Sequence, residues 1–346
     1  MQAAPASSVL FVGTGRRLDT ATLERHGFEY RTIRCQGLKG KSLVARLGAL
    51  LQLPLALWEA FKAVRRFRPD LAFGVGGYVT GPVILAARLL AVPCCIHEQN
   101  IVPGLANRML GRLVQRVFVS LPGSEAWFPA GRTVLSGNPV RNELLDAARR
   151  PREGNKLKGP TLLVLGGSQG AHRVNALMVE ALAATAKQLP PGFNIIHQTG
   201  EQDAAMVRQA YERQGITALV QPFFHDMERL YSLADLVVSR AGATTLAELT
   251  LLGRPAILIP YPYAADNHQE KNGRLLVEQG GAIMFTEQGL DGTRLGREIG
   301  ELLNNPPRLR AMAKASGTLA RPEAREILVQ ECLAMVEAAK SGKKKQ

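Results

Sequence analysis

Cysteine and aromatic residues are scarce in this sequence. Its 346 residues include four cysteines, and Phe, Trp and Tyr together make up 5%. The cysteine spacing matches neither a zinc site nor a disulfide framework, which excludes a small disulfide-stabilised domain and a structural zinc site. The aromatic residues do not alternate with basic ones, so we expect no nucleic-acid partner. The adjacent Cys94 and Cys95 lie in an apolar run and predict a buried strand.

Long hydrophobic runs and acidic residues are also few. The longest apolar run, 47–58, contains Gln52 and Pro54 and is too short to cross a bilayer, and the N-terminus lacks the basic region of a signal peptide. We therefore expect a cytoplasmic protein without a transmembrane helix. Asp and Glu number 29 against 43 Lys and Arg, which excludes an acidic binding tail. Hydrophobic residues make up 46% and charged residues 21%, which indicates a globular chain of two domains at this length.

The excess positive charge is concentrated in one part of the chain. Residues 31–68 contain nine basic side chains against one acidic side chain, Glu59, and they enclose the apolar segment LGALLQLPLALW (47–58). One interpretation is a core helix with a solvated basic rim. The other is a surface helix that inserts Leu and Trp into lipid while Lys and Arg meet anionic headgroups. Composition alone favours neither.

Apolar runs rich in Val, Ile and Leu alternate with helical patterns along the whole chain. Continuously apolar strands that alternate with helices predict parallel sheets buried on both faces. The polar stretch 142–160 separates two such series and is predicted to be a linker. The fold class is therefore α/β, with two doubly wound domains and a cleft between them. The predicted strands are 9–13, 71–75, 94–97, 116–120, 133–137, 161–167, 193–198, 218–223, 236–240, 255–260 and 282–286.

Three glycine-containing turns follow predicted strands and precede predicted helices, at 73–82, 162–175 and 239–248. Glycine allows tight turns and a close approach to a ligand, and the start of a helix attracts anions. The turn at 162–175 has three glycines with Ser168 and Gln169, so a phosphate or diphosphate site is favoured over an unoccupied turn. None of the three matches a Walker loop or a GxGxxG motif followed by an acidic residue, so we expect no NAD.

The sequence contains no Asp-x-Asp pair. A nucleotide-sugar enzyme without that pair has to stabilise the departing diphosphate by helix dipoles, backbone N–H groups and cationic side chains, without a metal. Arg141, in SGNPVR, is the candidate cation. The carboxylate of Glu248 would be repelled by a phosphate bound so close to it, so we expect it to bind sugar hydroxyls instead.

Taken together, seven sequence runs resemble those of the MurG-type bacterial transferases, from about Val9 to the C-terminus. That resemblance implies a GT-B fold of two Rossmann-like lobes and an inverting transferase that needs neither a metal nor a cofactor. The donor would be UDP-N-acetylglucosamine and the acceptor lipid I, undecaprenyl-diphospho-N-acetylmuramoyl-pentapeptide, which is converted to lipid II. The runs are GVGGYVTGP (74–82), HEQNIVPGLANR (97–108), SGNPVR (136–141), LGGSQGA (165–171), HQTGEQD (197–203), SRAGATTLAEL (239–249) and PYPYAADNHQEKNG (260–273).

The resemblance also implies roles for particular residues. The backbone of Phe224 falls where the family meets uracil, and the loop 243–248 falls around the diphosphate and ribose, with Glu248 on the ribose hydroxyls. The segment 43–58 falls where the family docks on an anionic membrane, at the cytoplasmic side of the inner membrane. The implied donor-binding positions are Asn100, Arg141, Ser168, Phe224, Ala243, Thr244, Thr245, Leu246, Ala247, Glu248 and Gln269.

One family feature has no counterpart here, the opening strand, GGTGGH loop and helix. The loop His is proposed as the general base, so no catalytic residue is assigned. A start codon placed too far downstream and a truncated protein are the two explanations, and the intact remaining motifs favour the first. The rival functions are UDP-N-acetylglucosamine 2-epimerase and a non-catalytic UDP-sugar or lipid-binding protein.

The expected domains follow the same resemblance. They are an acceptor and membrane lobe (1–141), a UDP-N-acetylglucosamine lobe (142–316), a C-terminal helix that returns to the first lobe (317–340) and a disordered tail (341–346).

Overall fold

A computed structural model describes residues 7–15, 23–35, 52–150, 157, 159–167 and 170–343 of the chain. The chain divides into two compact units. The first contains Met1–Ser136 and Arg325–Gln346, and the second contains Gly137–Ala324. The domain bounds expected above, at 141 and 316, stay predictions. Across the described ranges, no helix combines the length and the apolar composition needed to cross a membrane.

In its described residues, the first unit has six parallel strands in two sheets, and three helices lie between residues 53 and 110. Two strands pair with each other, β1 (Leu10–Gly13) and β2 (Glu29–Thr32). The other four form a sheet in chain order, β3 (Ala72–Gly74), β4 (Cys94–Glu98), β5 (Arg116–Val119) and β6 (Thr133–Leu135). The helices are α1 (Leu53–Phe67), α2 (Thr80–Leu89) and α3 (Leu105–Leu110).

The second unit is a single six-stranded parallel sheet with helices between its strands. Its elements are α4 (Asn142–Arg149), β7 (Thr161–Leu165), α5 (His172–Thr185), β8 (Asn194–Gln198), α6 (Ala204–Arg213), β9 (Ala218–Gln221), α7 (Met227–Leu233), β10 (Leu236–Ser239), α8 (Ala243–Leu251), β11 (Ala256–Leu258), α9 (His268–Glu278), β12 (Ala282–Met284), α10 (Gly292–Leu303) and α11 (Pro306–Gly317). The last helix of the chain, α12 (Ala324–Lys343), lies in the first unit after its first residue.

The strand order of the second unit is β9-β8-β7-β10-β11-β12. Numbered along the unit, this is the order 3-2-1-4-5-6 of a Rossmann-like sheet. The order reverses between β7 and β10, and ligands of such sheets bind at the carboxyl ends of the strands at this switch point. The predicted α/β class with parallel sheets is confirmed.

All eleven predicted strands are present, with ends that differ by a few residues. Continuous apolar composition identified them, and the five residues of β7 and of β4 are all buried. Cys94 and Cys95 lie in β4 with no exposed surface, as predicted. The sequence analysis missed β2, Glu29–Thr32, because three of its four residues are exposed and it has no apolar run.

The predicted linker 142–160 is wrong over its first half, which forms α4. The segment is rich in charged residues, but it has a short amphipathic pattern that the sequence analysis did not recognise. Leu144 and Leu145 are buried, and the residues around them face outward. Leu144 joins a core cluster that contains Phe224 and Tyr231. The first half of the segment that was expected to separate two domains is thus packed into the second unit.

The C-terminal helix begins later and ends later than predicted, because it starts at Ala324 and not at residue 317. α12 continues to Lys343, so the first three residues of the predicted tail 341–346 are helical. Leu328 of this helix lies in a core cluster with Cys95 of β4 and Phe118 of β5. This packing of α12 on the four-stranded sheet explains why the helix belongs to the first unit.

The helix α1 begins at Leu53, with Pro54 in its first turn, so only residues 52–58 of the predicted segment 43–58 are described. Small side chains form its buried face, Ala56, Ala60 and Val64. Larger apolar side chains lie outside, and Trp58 is 53% exposed. Ala60 and Val64 belong to the core cluster of the first unit, and Leu57 and Phe61 pack against that cluster. The helix therefore has a core face as well as an exposed apolar face, and the choice between the two interpretations stays a prediction.

Candidate active site

The switch point of the second unit brings two predicted glycine turns together. The turn after β7 leads into α5, and the turn after β10 leads into α8, whose N-cap is Gly242. Both helices therefore begin at the carboxyl edge of adjacent strands, where their dipoles favour an anion. Ser168 and Gln169, which belong to the first turn, lie outside the described residues, so the role of Ser168 stays a prediction.

Gly170 shows why the first turn needs glycine. Its φ angle is +79°, and a Cβ atom there would lie 2.4 Å from the carbonyl oxygen of Thr199. Any other residue would force the turn away from the loop that follows β8. The backbone of the turn is thus packed directly on the HQTGEQD segment (197–203).

The HQTGEQD segment is attached to α5 by a network of side chains. His197 is fully buried between the Tyr211 hydroxyl, 2.9 Å from Nδ1, and the Asn175 amide oxygen, 3.0 Å from Nε2. Burial lowers the pKa of His197 to about 3, so its ring is neutral. The carboxylate of Asp203 accepts from Asn175 at 2.7 Å and lies 2.9 Å from the ring of His172, the first residue of α5. The network fixes the start of α5 relative to β8.

Glu248 lies in the second turn of α8 and is held by two side chains from other elements. Its Oε2 atom accepts from the Tyr231 hydroxyl at 2.8 Å, and its Oε1 atom lies 3.4 Å from Nη2 of Arg141. Desolvation, reinforced by the nearby carboxylate, raises the pKa of Tyr231 well above its usual range, so the hydroxyl stays protonated and donates. The structure thus joins two predicted site residues, Arg141 and Glu248.

Sequence reasoning missed Tyr231. The signal that could have found it is a tyrosine at a core position of α7, beside Met227 and Leu230, because a buried hydroxyl needs a partner. The partner lies 17 residues away, on another helix.

The predicted loop 243–248 is in fact the start of α8. The backbone N–H groups of Ala243, Thr244 and Thr245 are in the first turn, where a helix offers N–H groups to a ligand. Leu246 already donates to the Gly242 carbonyl, and its side chain is 3% exposed in the core. Ala247 lies beyond the first turn. An anion can therefore be held by the backbone of the first three positions.

Phe224 and Gln269 are each fixed by one amide hydrogen bond. The backbone N–H of Phe224 donates to Oε1 of Gln198 at 3.1 Å, and its side chain is buried, which leaves its backbone carbonyl oxygen as the group for a ligand. Gln269 lies in the first turn of α9, where its Oε1 atom accepts from the backbone N–H of Tyr261 at 2.9 Å. A pocket of about 380 Å³ lies next to Phe224, lined by Arg141, Glu143, Leu144, His225, Asp226, Met227 and Glu228.

In the first unit, Asn100 follows the end of β4 and is fixed by Glu98. The buried carboxylate of Glu98 accepts from the Asn100 backbone and side chain at 2.9 and 3.3 Å, from the Gly104 backbone at 3.2 Å and from the Asn107 side chain at 2.8 Å. Four donors on one carboxylate hold the HEQN segment in place. His97 is buried too, with Nε2 3.1 Å from the Ser120 hydroxyl.

We expect Glu98→Ala to lower the free energy of unfolding by about 3 kcal/mol, because four buried or half-buried donors lose their carboxylate acceptor. Chemical denaturation of the full chain measures this effect. Glu125→Ala is the matched control, since Glu125 accepts one backbone N–H, from Gly123 at 2.7 Å, and that bond is exposed. Equal losses for the two variants would contradict the anchoring role of Glu98.

The chain matches two sequence families, described as Glycosyltransferase family 28 N-terminal domain over residues 4–119 and Glycosyltransferase family 28 C-terminal domain over residues 161–328. It is 50% identical over 332 residues to the UDP-N-acetylglucosamine–N-acetylmuramyl-(pentapeptide) pyrophosphoryl-undecaprenol N-acetylglucosamine transferase of Desulfotalea psychrophila. That match covers 96% of this chain and 89% of the relative.

The chain is also similar to solved structures. The crystal structure of MurG from Acinetobacter baumannii is 30% identical, with a TM-score of 0.77 and coverage of 96% of this chain and 92% of that chain. The UDP-GlcNAc 2-epimerase from Neisseria meningitidis, bound to UDP-GlcNAc, has a TM-score of 0.63 at 14% identity, with coverage of 96% and 94%. At that identity, the similarity to the epimerase extends to the fold alone.

Proposed function

Because the chain belongs to the MurG family of glycosyltransferases, within glycosyltransferase family 28, we propose that it transfers N-acetylglucosamine from UDP-N-acetylglucosamine to lipid I. The product is lipid II, and the reaction is a step of peptidoglycan synthesis. The observation that carries the proposal is the 50% identity to a transferase of this name along nearly the whole of both chains. An epimerase is not favoured, because only the fold is shared with epimerases.

The second unit binds the nucleotide sugar at its switch point. The N-termini of α5 and α8 meet the diphosphate, with Ser168 on the same turn. The carboxylate of Glu248 accepts from the ribose hydroxyls, and the backbone at Phe224 meets the uracil. Support comes from the convergence of two helix starts, a fixed carboxylate and a pocket at one edge of the sheet. Gln269 and Asn100 complete the proposed donor-binding positions.

The reaction is a displacement at the anomeric carbon of the donor. The 4-hydroxyl of the acceptor sugar attacks that carbon, its configuration inverts, and UDP leaves. Negative charge grows on the leaving diphosphate, and Arg141 together with the helix N-termini stabilises it without a metal. In the unliganded chain, Arg141 lies beside Glu248, and half of its side chain is exposed, so the guanidinium is at hand for an anion.

The first unit places the enzyme on the cytoplasmic side of the inner membrane, as a peripheral protein. α1 exposes Leu53, Leu55 and Trp58, of which Leu55 and Trp58 share a face because they are three residues apart, and the ammonium group of Lys62 lies 3.7 Å from the Trp58 ring. Arg65 and Arg66 occupy the last turn of the helix. Exposed large apolar side chains with basic neighbours suit the interface of an anionic bilayer.

Trp58→Glu tests the membrane surface. We expect its affinity for vesicles that contain phosphatidylglycerol to fall at least about tenfold, since inserting one large apolar side chain contributes roughly 1.5–3 kcal/mol. Vesicle co-sedimentation measures the change. Leu219→Glu is the control, because Leu219 is also exposed, at 47%, but lies in the second unit. Unchanged binding by Trp58→Glu would remove α1 from the membrane contact.

The proposed function is tested by incubating the full chain with UDP-N-acetylglucosamine in EDTA, with and without lipid I. A transferase releases UDP in quantity only when lipid I is present. An epimerase would convert the donor without the acceptor, and a binding protein would bind the donor without turnover.

A further inference from the structure

Gln198, the last residue of β8, links two loops through its side-chain amide. The Nε2 atom donates to the carbonyl oxygen of Gly167 at 3.1 Å, and the Oε1 atom accepts from the backbone N–H of Phe224 at 3.1 Å. The side chain is buried, with 5% exposure. One planar amide thus fixes the distance between the turn after β7 and the segment after β9.

The chemistry of the two partners fixes which way the amide points. A carbonyl oxygen needs a donor, which only Nε2 supplies, and a backbone N–H needs an acceptor, which only Oε1 supplies. Rotating the amide by half a turn would place Nε2 against the Phe224 N–H, donor against donor, and Oε1 against the Gly167 carbonyl oxygen, acceptor against acceptor. Among similar side chains, Glu cannot donate to Gly167 and Met can do neither, so the position requires glutamine.

The sheet does not need this side chain in order to form. The backbone of Gln198 already accepts from the Gly166 N–H at 3.2 Å, and the Thr199 N–H donates to the Gln221 carbonyl at 3.1 Å. These bonds close the ladder on both sides of β8. The Gln198 side chain therefore reaches past the end of the sheet and acts on the loops alone.

We propose that Gln198 is a positioning residue that couples the diphosphate-binding turn to the base-binding segment, so that UDP is recognised as one unit. The inference rests on the proposed function, which assigns the diphosphate to the turn that contains Gly167 and the uracil to the backbone at Phe224. Neither loop has to contact the other, because the amide transmits the position of one to the other. The side chain contacts no ligand itself.

Gln198→Met tests the coupling, because methionine fills a similar volume without either hydrogen bond. We expect the Kd for UDP to rise about tenfold, because both loops lose the hydrogen bond that holds them in place and have to be ordered when UDP binds. We also expect the preference for UDP over CDP to fall about fivefold, because the base-binding segment is no longer held in register. Steady-state kinetics should show a larger change in the KM for the donor than in kcat.

Gln214→Met is the matched control. Gln214 is in the same unit and donates to the Val179 carbonyl at 3.3 Å, between α6 and α5 and away from both loops. We expect it to change Tm but neither UDP affinity nor the preference for UDP over CDP. A second variant, Gln198→Glu, keeps an acceptor for Phe224 but opposes the Gly167 carbonyl, and we expect it to weaken UDP about tenfold while uridine loses less than twofold by NMR titration.

Three results would overturn the proposal. They are unchanged UDP affinity in Gln198→Met, equal weakening of UDP and CDP, and a change in Gln214→Met that matches that in Gln198→Met. The last two would show a general loss of stability. If the unmodified chain does not bind UDP, the proposed function itself fails. If that chain binds UDP and Gln198→Met binds it equally well, only the coupling role of Gln198 fails.

Discussion

Replacement of Arg141 by alanine is expected to lower kcat by about 100- to 1000-fold, with a smaller change in the KM for UDP-N-acetylglucosamine. Removing one preorganised donor from a site where charge develops has an effect of this size. The second unit provides a guanidinium at the start of α4, 3.4 Å from Glu248 and half exposed. The proposed role of this positive charge is on the leaving diphosphate, so we expect its loss to affect the transition state more than the bound donor.

Two further variants separate charge from geometry at this position. Arg141→Lys keeps the charge but loses the planar fork of donors, so we expect it to recover only part of the rate. Arg149→Ala is the control, since Arg149 lies at the end of the same helix with an exposed side chain and pairs with Asp146 at 3.8 Å. A decrease of less than fivefold in Arg141→Ala, or a similar decrease in Arg149→Ala, would contradict the role of Arg141.

Glu248→Ala is expected to lower kcat/KM for the donor about 100-fold, mainly through KM. The hydrogen bonds that a carboxylate accepts from two ribose hydroxyls contribute about 1.5 kcal/mol each, and they are made in the ground state as well as the transition state. Glu248 is held by Tyr231 at 2.8 Å and Arg141 at 3.4 Å. Steady-state kinetics with varied donor, and calorimetric titration with UDP, measure the two effects separately.

The alanine variant also leaves the Tyr231 hydroxyl buried without its acceptor, so stability needs its own control. Tyr231→Phe removes the hydroxyl but leaves the carboxylate, and we expect a loss of about three- to tenfold in kcat/KM because Glu248 is less firmly held. Glu248→Gln keeps the shape and an acceptor for Tyr231. If Glu248→Gln bound UDP and uridine as well as the unmodified chain, the assignment of the ribose to Glu248 would fail.

The sequence carried much of the fold, since local composition decides which residues form buried parallel strands. The strands TLLVL and CCIHE are buried along their whole length, and their apolar residues predicted them from the sequence. EYRT is not, since it lies in a two-stranded pair with most of its residues exposed. α4 was missed because its charged residues outnumber the two buried leucines that pack it into the core, so the segment reads as a linker.

The site was less accessible from the sequence, because its contacts join distant residues. The local sequence predicts two turns as anion-binding sites, the one that contains Gly166, Gly167 and Gly170 and the one at the start of α8. Pairing of Arg141 with Glu248 spans 107 residues, and the two bonds of Gln198 span 31 and 26. The switch point between β7 and β10 exists only once the strand order is known. These contacts cannot be predicted from the spacing of residues along the chain, because they depend on how the strands and helices pack.

The most direct test of the account is the structure of the product that the full chain forms from UDP-N-acetylglucosamine and lipid I in the presence of EDTA. Mass spectrometry and NMR of the extracted lipid identify the added sugar and its linkage. The account predicts one N-acetylglucosamine per acceptor, in β linkage to the 4-hydroxyl of the N-acetylmuramoyl residue, with one UDP released. An unmodified lipid together with a chain that binds UDP, or a sugar in α linkage, would contradict it.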